Sequence, residues 1–133
     1  MGLKQPWIYV STVALAVMVV SAAVLFWPEP GLAFSFMLLG AIVAIAIGNP
    51  LEDAALFVLT AIFGCLAEIV CITSGAWAYA IPQAFGMPYW LPFAWGTAAL
   101  FITRSRDAIF AFGEWLPSLR GKGAKKKRNK RSR

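Results

Sequence analysis

The chain predicts an all-α, polytopic integral membrane protein: a four-transmembrane-helix bundle with a short interfacial helix and a disordered basic C-terminal tail. Three observations carry this expectation. Hydrophobic residues make up 60% of the 133 residues and charged residues 14%, a balance that a water-soluble core of this size could not hide. Apolar runs of membrane-crossing length alternate with proline and glycine breaks. The charge is segregated, since eleven of the twelve Lys and Arg lie from Arg104 onward, so the net +6 belongs to the end of the chain.

Trp7 to Trp27 carries no charge and is long enough for a hydrocarbon core of roughly 30 Å, and "PEPG" at 28–31 ends it. The first span is therefore set at 7–27. The second, 32–48, uses small side chains such as Gly40 and Ala44, which let helices approach closely in lipid. At "NPLED", Asn49 can cap, Pro50 fits the first helical position, and Glu52 and Asp53 suit the positive end of the helix dipole. A third span of 53–80 follows, long enough that it must tilt, bend at Gly64 or Gly75, or leave the bilayer. The prolines of "IPQAFGMPYWLP" break it, and a fourth, short span covers 88–103. These four spans make up a transmembrane domain of residues 1–106. Residues 107–119 suit an interfacial amphipathic segment, and residues 120–133, dense in Lys and Arg, a disordered polybasic tail.

Orientation follows from the basic residues near the spans. Lys4 precedes span one and the basic cluster follows span four, so an even number of crossings puts both termini in the cytoplasm, in a multi-pass cell-membrane protein. Trp27, Trp77, Tyr79, Tyr89 and Trp90 fall at the outer side and Trp7, Tyr9 and Trp115 at the inner, as interfacial belts do. Residues 1–22 also read as a signal peptide with "VSAA" as its cleavage site; the apolar run continues past that point, which favours a span.

Glu68 is the main candidate for chemistry. It is the sole charge between Ala54 and Thr103, and an ionised acid at mid-bilayer costs roughly 2.5–3.5 kcal/mol. On a helix Ala61, Gly64, Glu68, Cys71, Gly75 and Tyr79 share a face of mostly small residues, so Gly40, Ala44, Gly64 and Gly75 are expected to pack helices together. With no basic residue in any span, Glu68 is expected to be protonated much of the time and to donate a hydrogen bond. It serves either as an acid or as an interhelical tie. Cys65 and Cys71, about 9 Å apart along one helix, can neither pair nor share a metal, and histidine is absent, so no metal or cofactor is assigned.

The stretch 74–96 is rich in Gly, Pro, Trp and Tyr, and Trp77, Tyr79, Trp90 and Trp95 could wall a site for an apolar ligand beside Glu68. Glu68, Gly75, Trp77 and Tyr79, then Pro88, Trp90, Pro92 and Trp95, form a pattern that resembles membrane-embedded carotenoid-biosynthesis proteins of the hydratase type. The likeness covers residues 68–96, and Ala76 and Ala78 interrupt it. It implies a polyene or isoprenoid ligand near Glu68, with Glu68 as acid.

Arg104, Arg106, Lys125, Lys126, Lys127 and Arg128 are expected at the membrane surface against anionic headgroups, ahead of nucleic-acid phosphates. The leading functional expectation is an accessory or assembly subunit, in a homo- or hetero-oligomer, packed against a membrane partner. The absence of a second titratable group in the spans favours it over a small enzyme or binding protein for an isoprenoid or lipid-type ligand using Glu68 as acid. A proton-coupled transporter component comes third.

Overall fold

The computed structural model describes the backbone of residues 6–130 and the side chains of residues 7–113. Its helices are α1 (Pro6–Phe26), α2 (Pro30–Ala46), α3 (Pro50–Thr73) and α4 (Leu91–Lys130). The described residues contain no strand, only an isolated bridge between Ala84 and Met87. The all-α class expected from the sequence is therefore observed. Trp7–Phe26 and Pro50–Thr73 are long and apolar enough to cross a membrane, whereas α2 is a shorter apolar helix.

Proline starts the first three helices at a position where its missing N–H is not needed. Between α2 and α3, the Asp53 carboxylate accepts from the Asn49 backbone N–H at 2.9 Å and closes the first turn. Residue pairings show that neighbouring helices run in opposite directions. Phe26 of α1 stacks on Phe36 of α2 at a centroid distance of 5.2 Å, and Arg104 of α4 meets Asp53 at the start of α3. The helix α4 packs against each of the other three.

The interior is assembled from small residues and rings. Ala41, Ala44, Phe57 and Leu100 form one buried cluster, and Val19, Ala22 and Met37 another. Phe93 joins them, edge-on to Phe34 at 5.2 Å and tilted against Phe57 at 6.2 Å. Gly40 admits the Met18 side chain, Gly64 lies under the Trp95 indole, and Gly96 lies under the Phe57 ring. Outside this seam the large side chains of α1 and α3 face outward: Val10, Val17, Leu25, Phe63 and Val70 are all exposed. Helices with such surfaces suit hydrocarbon surroundings.

Three expectations are corrected. The third helix ends at Thr73 and not near residue 80, because Gly75 takes a left-handed φ of +78°. The Ala76 N–H then bonds the Cys71 carbonyl and the Gly75 N–H bonds the Ile72 carbonyl, at 2.9 and 3.0 Å. This is the Schellman stop, which satisfies carbonyls that the helix end would leave open. Gly75 is thus a helix terminator and not a packing residue, with no neighbour within 4 Å of where a Cβ would stand. Gly75 and Tyr79 accordingly do not share the helical face of Glu68.

Arg104 is also corrected, since it is buried at 7% exposure and does not lie at the surface. Its guanidinium donates to Asp53 Oδ2 at 2.7 Å, the Ala44 carbonyl at 2.6 Å and Thr12 Oγ1 at 3.1 Å. One side chain of α4 therefore ties α1, α2 and α3 at the same end of the bundle. The third difference is that α4 begins at Leu91 and its backbone continues through residues 107–119 and on to Lys130, without a separate interfacial helix. The side chains of Trp115, Lys125, Lys126, Lys127 and Arg128 lie outside the described residues.

Candidate functional site

The loop of residues 74–90 folds back over the end of α3. At its tip, Phe85 and Gly86 have φ of 53° and 81°, both left-handed, as in a type I′ hairpin turn. The Ala84 and Met87 backbones exchange hydrogen bonds of 3.0 and 2.9 Å across it. Gly86 sits against Ile72, so a side chain there would meet the last turn of α3. Gln83 braces the loop from within: its amide donates to the Ile81 carbonyl, and its oxygen accepts from the Tyr89 N–H at 3.0 Å.

This fold-back gives Glu68 its partners. The Trp77 indole N–H donates to Glu68 Oε2 at 2.9 Å, and the Tyr79 hydroxyl donates to the same oxygen at 3.0 Å. Glu68 itself is only 8% exposed. Two donors on one oxygen fix Oε2 as an acceptor. The hydrogen bond expected from Glu68 thus runs in the opposite sense, with loop side chains donating to it. The nearest basic group on this helix pair, Arg104, is engaged by Asp53, which lies about 22 Å along α3 from Glu68.

The remaining sequence-predicted residues gather around this centre. Trp90 meets Tyr79 edge-on, with centroids 6.4 Å apart and planes at 89°. Trp95 lies one helical turn further down, over Gly64 on the Glu68 face of α3. Trp77 is about half exposed and Trp95 is 36% exposed, so their outward faces remain open. Burial first, and then the bond to Glu68, hold the Tyr79 phenol above its ordinary value. It remains a donor throughout the neutral range.

Gly40 and Ala44 pack inside the chain, Gly40 against α1 and Ala44 within the core, where its carbonyl also receives Arg104. Arg106 remains exposed and pairs with its neighbour Asp107 at 2.9 Å. Cys65 and Cys71 are free thiols. Among the described residues no group of three metal-ligating side chains comes together.

Two features escaped the sequence reading. One is the Arg104 knot, whose signal was available in an arginine placed at the end of a span opposite the acidic start of another. The other is a groove of about 620 Å³ between α1 and α4, which includes Val17, Ala94, Thr97 and Phe101 but not Glu68. Two buried polar atoms of α4 and its approach, Trp90 Nε1 and Thr97 Oγ1, have no hydrogen-bond partner.

Comparison with known proteins yields no match to a family model, a curated protein or a solved structure. The site is therefore read from its own chemistry: an aromatic-lined carboxylate at one end of an apolar helical bundle.

Proposed function

We propose that this is a four-span membrane protein with both termini on the cytoplasmic side, acting as an accessory or assembly subunit. The observation that carries this reading is the use of Glu68 within its own chain. Its Oε2 receives Trp77 and Tyr79, so the acid docks the outer loop onto α3. Between Ala54 and Thr103 the sequence offers no second carboxylate, histidine or lysine to complete a proton-transfer pair. Because Gly40, Ala44 and Gly64 are consumed inside the chain, partner contact falls to the exposed apolar face of α3, where Leu59, Phe63 and Val70 stand free. Polytopic insertion leaves these side chains in lipid until a partner helix covers them.

The experiment is the comparison of Glu68→Gln with Glu68→Leu. The amide keeps an oxygen that accepts both bonds, so Glu68→Gln should assemble and function as the parent does. Glu68→Leu strands the indole and phenol donors and should lower stability by about 2–4 kcal/mol, read from thermal unfolding in detergent. Normal assembly of Glu68→Gln with lost activity would overturn the subunit reading in favour of an acid.

A second reading is favoured by the groove between α1 and α4: a binding protein for an apolar lipid- or isoprenoid-type ligand. The resemblance to carotenoid-biosynthesis proteins also implies an apolar ligand, at a different place from this groove, beside Glu68 with Trp77, Tyr79, Trp90 and Trp95 as its proposed walls. Mass spectrometry of what copurifies in mild detergent separates the two readings, a stoichiometric polypeptide supporting the first and a pigment or lipid the second.

A further inference from the structure

We propose that the part of α4 beyond the Arg104 knot is a docking arm for an anionic lipid surface. Ile109 and Phe110 enter the headgroup boundary, and the basic residues from Arg120 onward lie along negatively charged headgroups of the same leaflet. The proposal goes beyond the subunit reading and stands whether or not that reading holds.

The bundle ends close to the knot, and α4 does not. Arg104 bonds Thr12 of α1, Ala44 near the end of α2 and Asp53 in the first turn of α3. From Thr12 back to its start at Pro6, α1 has about 9 Å left, whereas α4 runs on from Arg104 to Lys130, about 39 Å. The two helices are antiparallel, so Ile109 and Trp7, each about 7.5 Å past the knot, stand at about the same depth. Trp7 is half exposed, and indoles favour the membrane–water boundary. At this depth Ile109 and Phe110 are 70% and 67% exposed.

Charge selects what the arm meets. Nine of the twelve Lys and Arg lie from Arg120 onward, with no Asp or Glu among them. A second copy of the arm would set like charges against each other. A nucleic acid would take the charges and leave Ile109 and Phe110 with no apolar surroundings. A leaflet with anionic headgroups answers both, because an acyl boundary lies directly beneath its negative charge. Upright, α4 holds Lys125 about 24 Å beyond Ile109, some three Debye lengths at physiological salt. The arm must therefore bend to dock, and Pro117 gives it the place: proline has no N–H for the Gly113 carbonyl and crowds it, which is where helices kink. Bent there, the basic run comes within one Debye length of the surface.

The test is hydrogen exchange on the full chain in nanodiscs, one set of phosphatidylcholine and one with three parts in ten replaced by phosphatidylglycerol. Each basic residue near an anionic surface strengthens association about fivefold, so amides of residues 114–130 should exchange roughly tenfold or more slowly in the anionic discs. Salt at about 0.5 M should abolish the difference. Replacing Lys125, Lys126, Lys127 and Arg128 together by Gln should remove most of it and leave exchange in α1, α2 and α3 unchanged. Ile109→Ser with Phe110→Ser should weaken it while preserving its salt dependence. Equal exchange in the two kinds of disc overturns the proposal, as does slowing that survives high salt. Slowing seen only in discs that hold two copies would assign the arm to self-association. An RNA duplex that slows the same amides with anionic discs present would assign it to nucleic acid. Either result overturns the proposal.

Discussion

At the scale of single residues, the two ionisable groups buried among the described residues, Glu68 and Arg104, are satisfied by the chain itself. Glu68 receives an indole and a phenol, and Arg104 gives its donors to a carboxylate, a carbonyl and a hydroxyl. Losing one member of a buried ion pair costs about 3–5 kcal/mol, because the other charge is left uncompensated. Arg104→Met should therefore destabilise strongly in a thermal or denaturant assay, and the double variant Arg104→Met/Asp53→Leu should recover part of the loss. The Tyr79 phenol supplies a pH signature. Its value is raised in the folded protein, so its contribution is whole below its ordinary value of 10 and is lost as pH climbs beyond that. Absorbance titration in detergent should show one late-titrating tyrosine that disappears in Tyr79→Phe, and loosening of the loop should follow its ionisation.

At the scale of elements, the decisive event is the stop at Gly75. A third helix continued to residue 80 would hold Trp77 and Tyr79 on its own surface. The left-handed residue turns the chain back instead and aims both side chains at Glu68. Gly75→Ala places a Cβ in a conformation that disfavours it by about 1–2 kcal/mol. That strain should loosen the loop, with faster amide exchange over residues 74–90 and little change in α1 or α2. Phe85 already stands in the left-handed region at the hairpin tip, and Phe85→Gly should relieve strain there without touching the site.

At the scale of the whole molecule, α4 is the hub, reaching Thr12, Ala44 and Asp53 through Arg104 and closing the α3 seam through Gly96 and Trp95. The Arg104 knot lies at the end where α2 finishes and α3 begins, opposite the aromatic loop. This polarity fits the proposed topology, with the charged knot inward and the uncharged loop outward. Cysteine-accessibility mapping in intact cells should label single cysteines at Glu29 and Phe85 from outside, while Ser118 should react only after permeabilisation. Labelling of Ser118 from outside would count against both termini being cytoplasmic.

Much of the architecture was legible because it is written in local chemistry. Proline starts, the apolar runs and the acidic first turn of α3 each act over a few residues, and the helices form where they point. Gly75 shows the limit of that reading: a glycine within an apolar run can bend, pack or end a helix, and the sequence does not say which until the following residues find somewhere to fold. Glu68 shows it again, since its donors lie nine and eleven positions on and reach it only by a reversal of the chain. The pairing of Arg104 with Asp53 spans 51 positions and depends on α3 and α4 running in opposite directions. The sequence by itself determined the helical class and an acid that needed a partner. The tertiary structure decided who that partner is, which arginine is buried, and that the groove lies against α1, because contacts distant along the chain exist only once the helices have packed.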